Sequence, residues 1–147
     1  MSHAPSTVVR TAQARDAAEL AVLFGQLGYP QGALGLDQRI ERLADTATDA
    51  VLVAEVDGGV VGVVSLHVTP FFNEGTSRGR ITSLVVGEDR RGQGIGRALL
   101  DAAEEAARRR GCYAIELTSG AHRRDAHRFY LAAGYEVQPH RFRKSLS

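Results

Sequence analysis

The run Arg90-Arg91-Gly92-Gln93-Gly94-Ile95-Gly96-Arg97 constrains this chain more than any other. It joins a strand-like stretch, Ile81 to Val86, to a long amphipathic helix pattern, Ile95 to Arg110. Its alternating glycines let the backbone turn so that successive N–H groups converge, and the following helix adds the positive end of its dipole. Such a loop suits phosphate. One anion–helix interaction contributes only about 0.3 to 2 kcal/mol, so several converging donors are needed, and this loop offers them. A glycine-rich turn that merely seats a helix on a sheet is the plainer alternative.

Two other phosphate-binding designs fail on the residues. A Walker loop requires Gly-Lys followed by Ser or Thr, and the only lysine here is Lys144. A dinucleotide fingerprint, G-x-G-x-x-G, would need glycine where Arg97 stands. Glu116 lies at a suitable distance for its acidic partner, but the 51 residues after Gly96 are too few to complete a doubly wound domain.

Around the loop the chain alternates short strand and helix patterns, which predicts an α/β domain. Thr7 to Thr11 reads as a strand, Asp16 to Leu27 as a helix stopped by Gly28-Tyr29-Pro30, and Leu36 to Thr46 as a second helix. Ala50 to Val56 and Val60 to Thr69 form a hairpin through Asp57-Gly58-Gly59, with Gly62 marking a bulge or a close backbone approach. Pro70 to Gly79 reads as a loop. After the helix ended by Gly111 come a strand, Cys112 to Thr118, a helix, Arg123 to Ala133, capped by Gly134, and two short strands, Tyr135 to Val137 and Arg141 to Leu146. Glu104 and Arg108 have the spacing of a helical ion pair.

A length of 147 residues with 44% hydrophobic content fits one domain, residues 1–147. The single cysteine, Cys112, is expected to be a small buried thiol. No apolar stretch reaches the ~18 residues of a membrane span, and Met1-Ser2-His3-Ala4-Pro5 has no signal-peptide pattern, so a soluble cytoplasmic protein with no membrane partner is expected. His122 and His127 near Cys112 do not have zinc-site spacing, and no metal is expected. Arg108-Arg109-Arg110 reads as a dipole-matched helix end, with no nucleic-acid partner.

The residues around the glycine loop also carry a resemblance. Val85-Val86 leading into Arg91-Gly92-Gln93-Gly94-Ile95-Gly96 resembles the acetyl-CoA motif, R/Q-x-x-G-x-G/A, of the GCN5-related N-acetyltransferase (GNAT) superfamily. Ala126-His127-Arg128-Phe129-Tyr130-Leu131-Ala132-Ala133-Gly134-Tyr135 resembles its second landmark, a helix carrying Tyr before a Gly-aromatic pair. The resemblance implies a mixed, mostly antiparallel sheet of about seven strands, splayed in the middle and flanked by about four helices. It implies acetyl-CoA as co-substrate, its pantetheine arm against Leu84, Val85 and Val86. The pyrophosphate would lie on the N–H groups of Arg91, Gly92, Gln93, Gly94, Ile95, Gly96 and Arg97. Tyr130 matches the family's usual acid for the leaving thiolate. The family often has Asn where Arg123 stands, which leaves that residue open to cofactor or substrate.

The implied activity is N-acetylation of a small primary amine by direct attack on the thioester. At a reference pKa near 10.4, about one amine in 2,500 is unprotonated at pH 7, a penalty of about 4.6 kcal/mol, so proton removal matters. Thr82 stands where relatives often have a carboxylate and cannot serve. Glu55, His67, Glu74, Glu116 or water remain as bases, with a water chain ending at Glu55, His67 or Glu74 expected. A non-catalytic acyl-CoA sensor and a peptide or protein acetyltransferase are the alternatives, and homodimerisation stays open.

Charge is unevenly distributed. Residues 1–77 hold 4 basic and 9 acidic residues, net −5, while residues 78–147 hold 14 and 8, net +6. By the resemblance the acidic half borders the acceptor groove, so its field is expected to steer a cationic amine, not an anionic one. An anionic amine would instead require a basic residue such as Arg78, Arg80 or Arg123 in the acceptor site.

Overall fold

The computed structural model describes residues 6–27, 34–118, 124–138 and 141–146. Strands β1 (Thr7–Thr11), β2 (Asp49–Val56), β3 (Gly59–Phe71), β4 (Thr76–Val86) and β5 (Cys112–Leu117) form one sheet in chain order. The first four are antiparallel neighbours, and β5 runs parallel to β4. The helices are α1 (Ala17–Leu27), α2 (Leu36–Leu43), α3 (Ile95–Arg109) and α4 (Arg124–Ala132), with short 3-10 turns at Ala14–Asp16 and Glu88–Arg90.

Period-2 alternation sends the strands' apolar residues to both faces. Ala50, Ala54, Val56, Val64, Leu66 and Ile81 pack against Ile95, Leu99, Leu100, Ala103, Ala106 and Ala107 of α3. The opposite face buries Val53, Val60, Val63 and Val85 under Leu20 and Leu23 of α1 and Leu36 and Ile40 of α2. At the hairpin, Asp57 and Gly58 have φ of 51° and 80°, the left-handed pair that a tight two-residue turn requires.

Two bulges shape the centre. In β3, Gly62 opposes Ala54 and Val60 opposes Glu55, so Val61 is the extra residue beside the glycine. In β4, Ser83 opposes Ser65 and Ile81 opposes Leu66, so Thr82 is extra. The second bulge reverses the alternation of β4. Arg78 and Arg80 lie opposite the α3 face that Gly79 and Ile81 pack on, whereas after the bulge Leu84 and Val86 turn to that face.

The segment Pro70 to Gly79 is not a loop: β3 continues through Phe71 and β4 starts at Thr76, leaving Phe72 to Gly75 as the turn. Thr69, Phe71 and Thr76 favour strand, and Pro70 is tolerated near a strand's end. Helix α2 stops at Leu43, where Asp45 bridges back to Ala50. Neither C-terminal strand is present: 135–138 and 141–146 have no regular structure, so the described sheet has five strands, not about seven. Val137, Phe142 and Leu146 are 75%, 92% and 94% exposed, and without a buried face nothing fixes a pairing register there. Gly28-Tyr29-Pro30, His122 and Arg123 lie outside the described residues. No described helix is long and apolar enough to cross a membrane.

Candidate active site

The parallel pairing of β4 with β5 ends at Ile81 and Leu117. Beyond it, Thr82 to Val86 have no strand partner on the β5 side among the described residues, so backbone groups of Leu84, Val85 and Val86 border an opening in the sheet. Leu84, Val86, Leu117, Phe129 and Tyr130 pack partly buried around the α3 core beside it.

The chain then enters the glycine loop. Gly92 and Gly94 both have φ of +80°, and a Cβ on either would meet no heavy atom within 4 Å. These positions select glycine for backbone conformation and leave an open surface over the start of α3. Gly94 caps α3 without a side-chain hydrogen bond, and the first turn contains no acid. The first intrahelical bond runs from Ala98 N to Gly94 O, which leaves the Ile95, Gly96 and Arg97 amides as N–H groups of a helix start with no partner among the described residues. Gly96 sits closer in, its Cβ position 3.5 Å from Phe129 and 3.7 Å from Val86. Arg91 and Arg97 are exposed, Arg97 pairing with Asp101 at 3.0 Å. This cradle of unfilled backbone and flanking guanidiniums fits a pyrophosphate.

Tyr130 on α4 is half-buried, with its ring 5.2 Å from Phe129 and 5.8 Å from Tyr135. Tyr135 closes α4 by donating its N–H to the Tyr130 carbonyl, and its hydroxyl donates to Glu104 at 2.9 Å. Burial first, then the Glu104 carboxylate, pushes the Tyr135 phenol well above its ordinary range. Glu104 lies 3.9 Å from Arg108, the helical pair that the spacing predicts.

The cover provided by α1 and α2 ends at Val63 and Val85. Past them, Ser65, His67, Thr82, Arg80 and Arg78 are half-buried or exposed on the same side of the sheet. Thr82 shares a 2.8 Å hydrogen bond with Ser65. Arg80 donates to Thr118 at 2.9 Å and lies 3.4 Å from Glu116, and Arg141 also donates to Thr118. Arg78 stacks 4.2 Å above the Phe71 ring and bonds Glu74 and Tyr113.

The candidate bases separate on this geometry. Glu55 is on β2, turned toward Arg10 at 3.5 Å and away from the β4–β5 opening. The Tyr113 hydroxyl, then the Arg78 guanidinium against slight burial, holds the Glu74 carboxyl below its ordinary range. Glu116 stands between Arg80 and Arg78. His67 is the imidazole on the uncovered face, its Nδ1 2.7 Å from Asp49. Asp49 is the residue the sequence reading missed. Cys112 is half-buried, and burial raises its thiol pKa against an opposing effect of Arg110. No three described His, Cys, Asp or Glu side chains cluster as a metal group.

Several acids of the N-terminal half have partners inside the fold. Asp16 is buried on Arg10, Glu19 accepts from the Val60 amide, and Asp49 accepts from Thr46 and Thr48 as well as meeting His67. The uncovered face carries Arg78 and Arg80, paired with Glu74 and Glu116, beside the His67–Asp49 pair.

A sheet opened between two parallel strands, with a glycine-rich helix start at its mouth, defines a class of acyl-transfer scaffolds. The acetyltransferase (GNAT) family model matches residues 17–135, and the chain belongs to that family. It is 47% identical over 90 residues to aminoalkylphosphonate N-acetyltransferase of Salmonella typhimurium, covering 61% of this chain and 58% of the relative. It is 30% identical over 137 residues to aminoglycoside N(6')-acetyltransferase type 1 of Stenotrophomonas maltophilia, covering 90% and 88%. Matches to three other relatives span only 35% to 46% of those proteins. Among solved structures, an aminoglycoside N-acetyltransferase in complex with CoA superposes with TM-score 0.86 at 14% identity, over 100% of this chain and 99% of that one. A Trypanosoma brucei acetyltransferase superposes with TM-score 0.78 at 26% identity, over 96% and 100%.

Proposed function

We propose that the chain is an acetyl-CoA-dependent N-acetyltransferase for a small primary amine that carries an anionic group. When bound, the cofactor supplies an acetyl thioester. The loop from Arg91 to Arg97 would hold its pyrophosphate, the free backbone edge of Leu84 to Val86 its pantetheine arm, and Tyr130 would protonate the leaving sulfur.

The observation that carries the acceptor reading is the order of residues along β4. Arg78 and Arg80 come first, the Thr82 bulge next, and the free edge at Leu84 to Val86 last. At about 3.3 Å per strand residue, an amine nitrogen near Thr82 lies about 7 Å from an anion on Arg80, a span that suits a short aminoalkyl acid. The relative from Salmonella typhimurium is named for an acceptor of this kind, an aminoalkylphosphonate. The charge arithmetic favours a cationic acceptor, but of the acids behind it Asp16 and Glu55 are turned onto Arg10, away from the β4–β5 opening.

The test is CoA release from acetyl-CoA with matched amines that differ only in an anionic, neutral or cationic substituent, at two salt concentrations. A higher kcat/KM for the phosphonate or carboxylate, diminished by salt, is the expected result. Preference for the cationic amine would overturn the acceptor class, and CoA binding without turnover of any amine would favour a sensor.

A further inference from the structure

We infer that Asp49 is a positioning residue that fixes His67 as the proton acceptor for the amine, a deepening that rests on the transfer reading above. His67 and Asp49 are cross-strand partners on β3 and β2, and Nδ1 of the ring lies 2.7 Å from Oδ1 of the carboxylate.

Asp49 is held from several sides. Thr46 Oγ1 and Thr48 Oγ1 donate to its other carboxylate oxygen at 3.0 and 2.8 Å, and its carbonyl accepts from the Thr46 amide and from Arg110 Nη2. Arg110 is itself fastened to the Thr46 and Ala106 carbonyls and to Asp45, so the end of α3 clamps the start of β2. Burial opposes ionisation of Asp49, but the hydrogen bonds from His67, Thr48 and Thr46 outweigh it and hold the carboxyl below its ordinary range. An ionised Asp49 can only accept, so a neutral His67 must carry its proton on Nδ1. That leaves Nε2 as the basic nitrogen, with no protein partner among the described residues.

The ring stands on the uncovered face beside the Ser65 and Thr82 hydroxyl pair, and its cross-strand neighbour on β4 is Arg80. The charged groups around it are Asp49 on β2, Arg80 and Arg78 on β4, Glu116 beyond them on β5, and Arg110 with Asp45 behind Asp49. An anion bound on Arg80 would therefore set its ammonium within reach of His67, directly or through one water. His67 Nε2 takes one proton from the ammonium, and the freed nitrogen lone pair forms the C–N bond. The C–S bond breaks and its electrons stay on sulfur, which takes a proton from Tyr130. The nitrogen gives up its second proton to restore that of Tyr130, and His67 returns its own to solvent.

The test combines nitrogen NMR of the imidazoles with kinetics of His67→Gln, Asp49→Asn and the double variant. In the wild type the neutral His67 ring should show Nδ1 protonated and Nε2 bare, a state lost in Asp49→Asn. His67→Gln should lower kcat by roughly 10²-fold to 10⁴-fold, and Asp49→Asn by roughly 10-fold to 10²-fold, with both KM values and CoA affinity retained. The double variant should be no slower than His67→Gln. An Nε2-protonated ring in the wild type overturns the inference. So does a folded Asp49→Asn variant within threefold of wild-type kcat that keeps the wild-type tautomer. A wild type that acetylates no amine overturns the transfer reading instead, and the tautomer measurement still decides whether Asp49 orients the ring.

Discussion

Gly62 of β3 lies directly beneath Leu99 of α3: a Cβ on the glycine would sit 2.9 Å from Leu99 Cδ1 and 3.1 Å from the Val85 carbonyl. Leu99 is fully buried and has little room to withdraw. The glycine therefore sets how closely the helix approaches the sheet, and with it the height of the helix start over the β4 edge.

Gly62→Ala should cost about 1 to 3 kcal/mol through overpacking. The Val85 carbonyl is backbone, so a rotamer change at Leu99 alone does not relieve the contact. Denaturant unfolding checks this, and a variant as stable as wild type would show that α3 is free to ride up.

The Arg10–Asp16 pair is the most buried ion pair described. Asp16 is 2% exposed and takes two guanidinium bonds, at 2.8 and 2.9 Å, and the Gln13 amide at 2.8 Å. The Arg10 hydrogen bond, against burial and with help from the Gln13 amide, lowers its pKa. A depressed carboxylate adds stability that is present above its unfolded value, near 3.9, and is lost as pH falls through the folded value. Asp16→Asn should cost about 3 kcal/mol at neutral pH and flatten the loss of stability below about pH 4. Thermal unfolding at several pH values checks both.

Gly94→Asp introduces a β-carbon at φ of +80° and a negative charge at the helix start, in a space that holds no other side chain. It should weaken CoA binding by about tenfold or more, since each disturbed anion contact there is of order 1 kcal/mol. Calorimetry is the check, and unchanged affinity would remove the loop from the cofactor site.

Tyr130→Phe keeps the ring between Phe129 and Tyr135 while removing the hydroxyl. Turnover should fall by roughly 10²-fold to 10⁴-fold. A loss below about threefold with folding intact would make Tyr130 a packing residue and turn attention to Tyr135.

Local pattern made much of this legible. Glycines followed by a helical stripe mark the loop and α3 because both signals lie within one contiguous run. The Tyr130 helix is readable for the same reason. Asp49 and His67 are 18 residues apart, and only the hairpin register and its bulges bring them together. The Thr82 bulge is equally silent in sequence, since Ile81-Thr82-Ser83-Leu84 reads as unbroken strand. Taking Pro70 to Gly79 as loop concealed that Arg78 is a strand residue on the same face as Arg80. Adding charges over whole halves of the chain likewise takes no account of where each acid points: Asp16 and Glu55 are turned onto Arg10.

Arg80 offers the sharpest test of the acceptor. Its side chain is 36% exposed and is held by Thr118 at 2.9 Å and, less closely, by Glu116 at 3.4 Å, so a phosphonate could displace a long ion pair without stranding a buried charge. A hydrogen bond to a charged group contributes about 1.5 to 3 kcal/mol, which predicts that Arg80→Gln raises KM for an anionic amine roughly 10-fold to 150-fold. The neutral amine of the same length should lose little, because it makes no use of the guanidinium. Glu116→Gln should act in the opposite direction, lowering KM for the anionic amine by releasing Arg80 and removing a like charge. Steady-state kinetics with the two amines on the three proteins decides the matter. Equal losses for both amines in Arg80→Gln would mean that the arginine shapes the groove, and the anion would then have to be sought at Arg78 or Arg141.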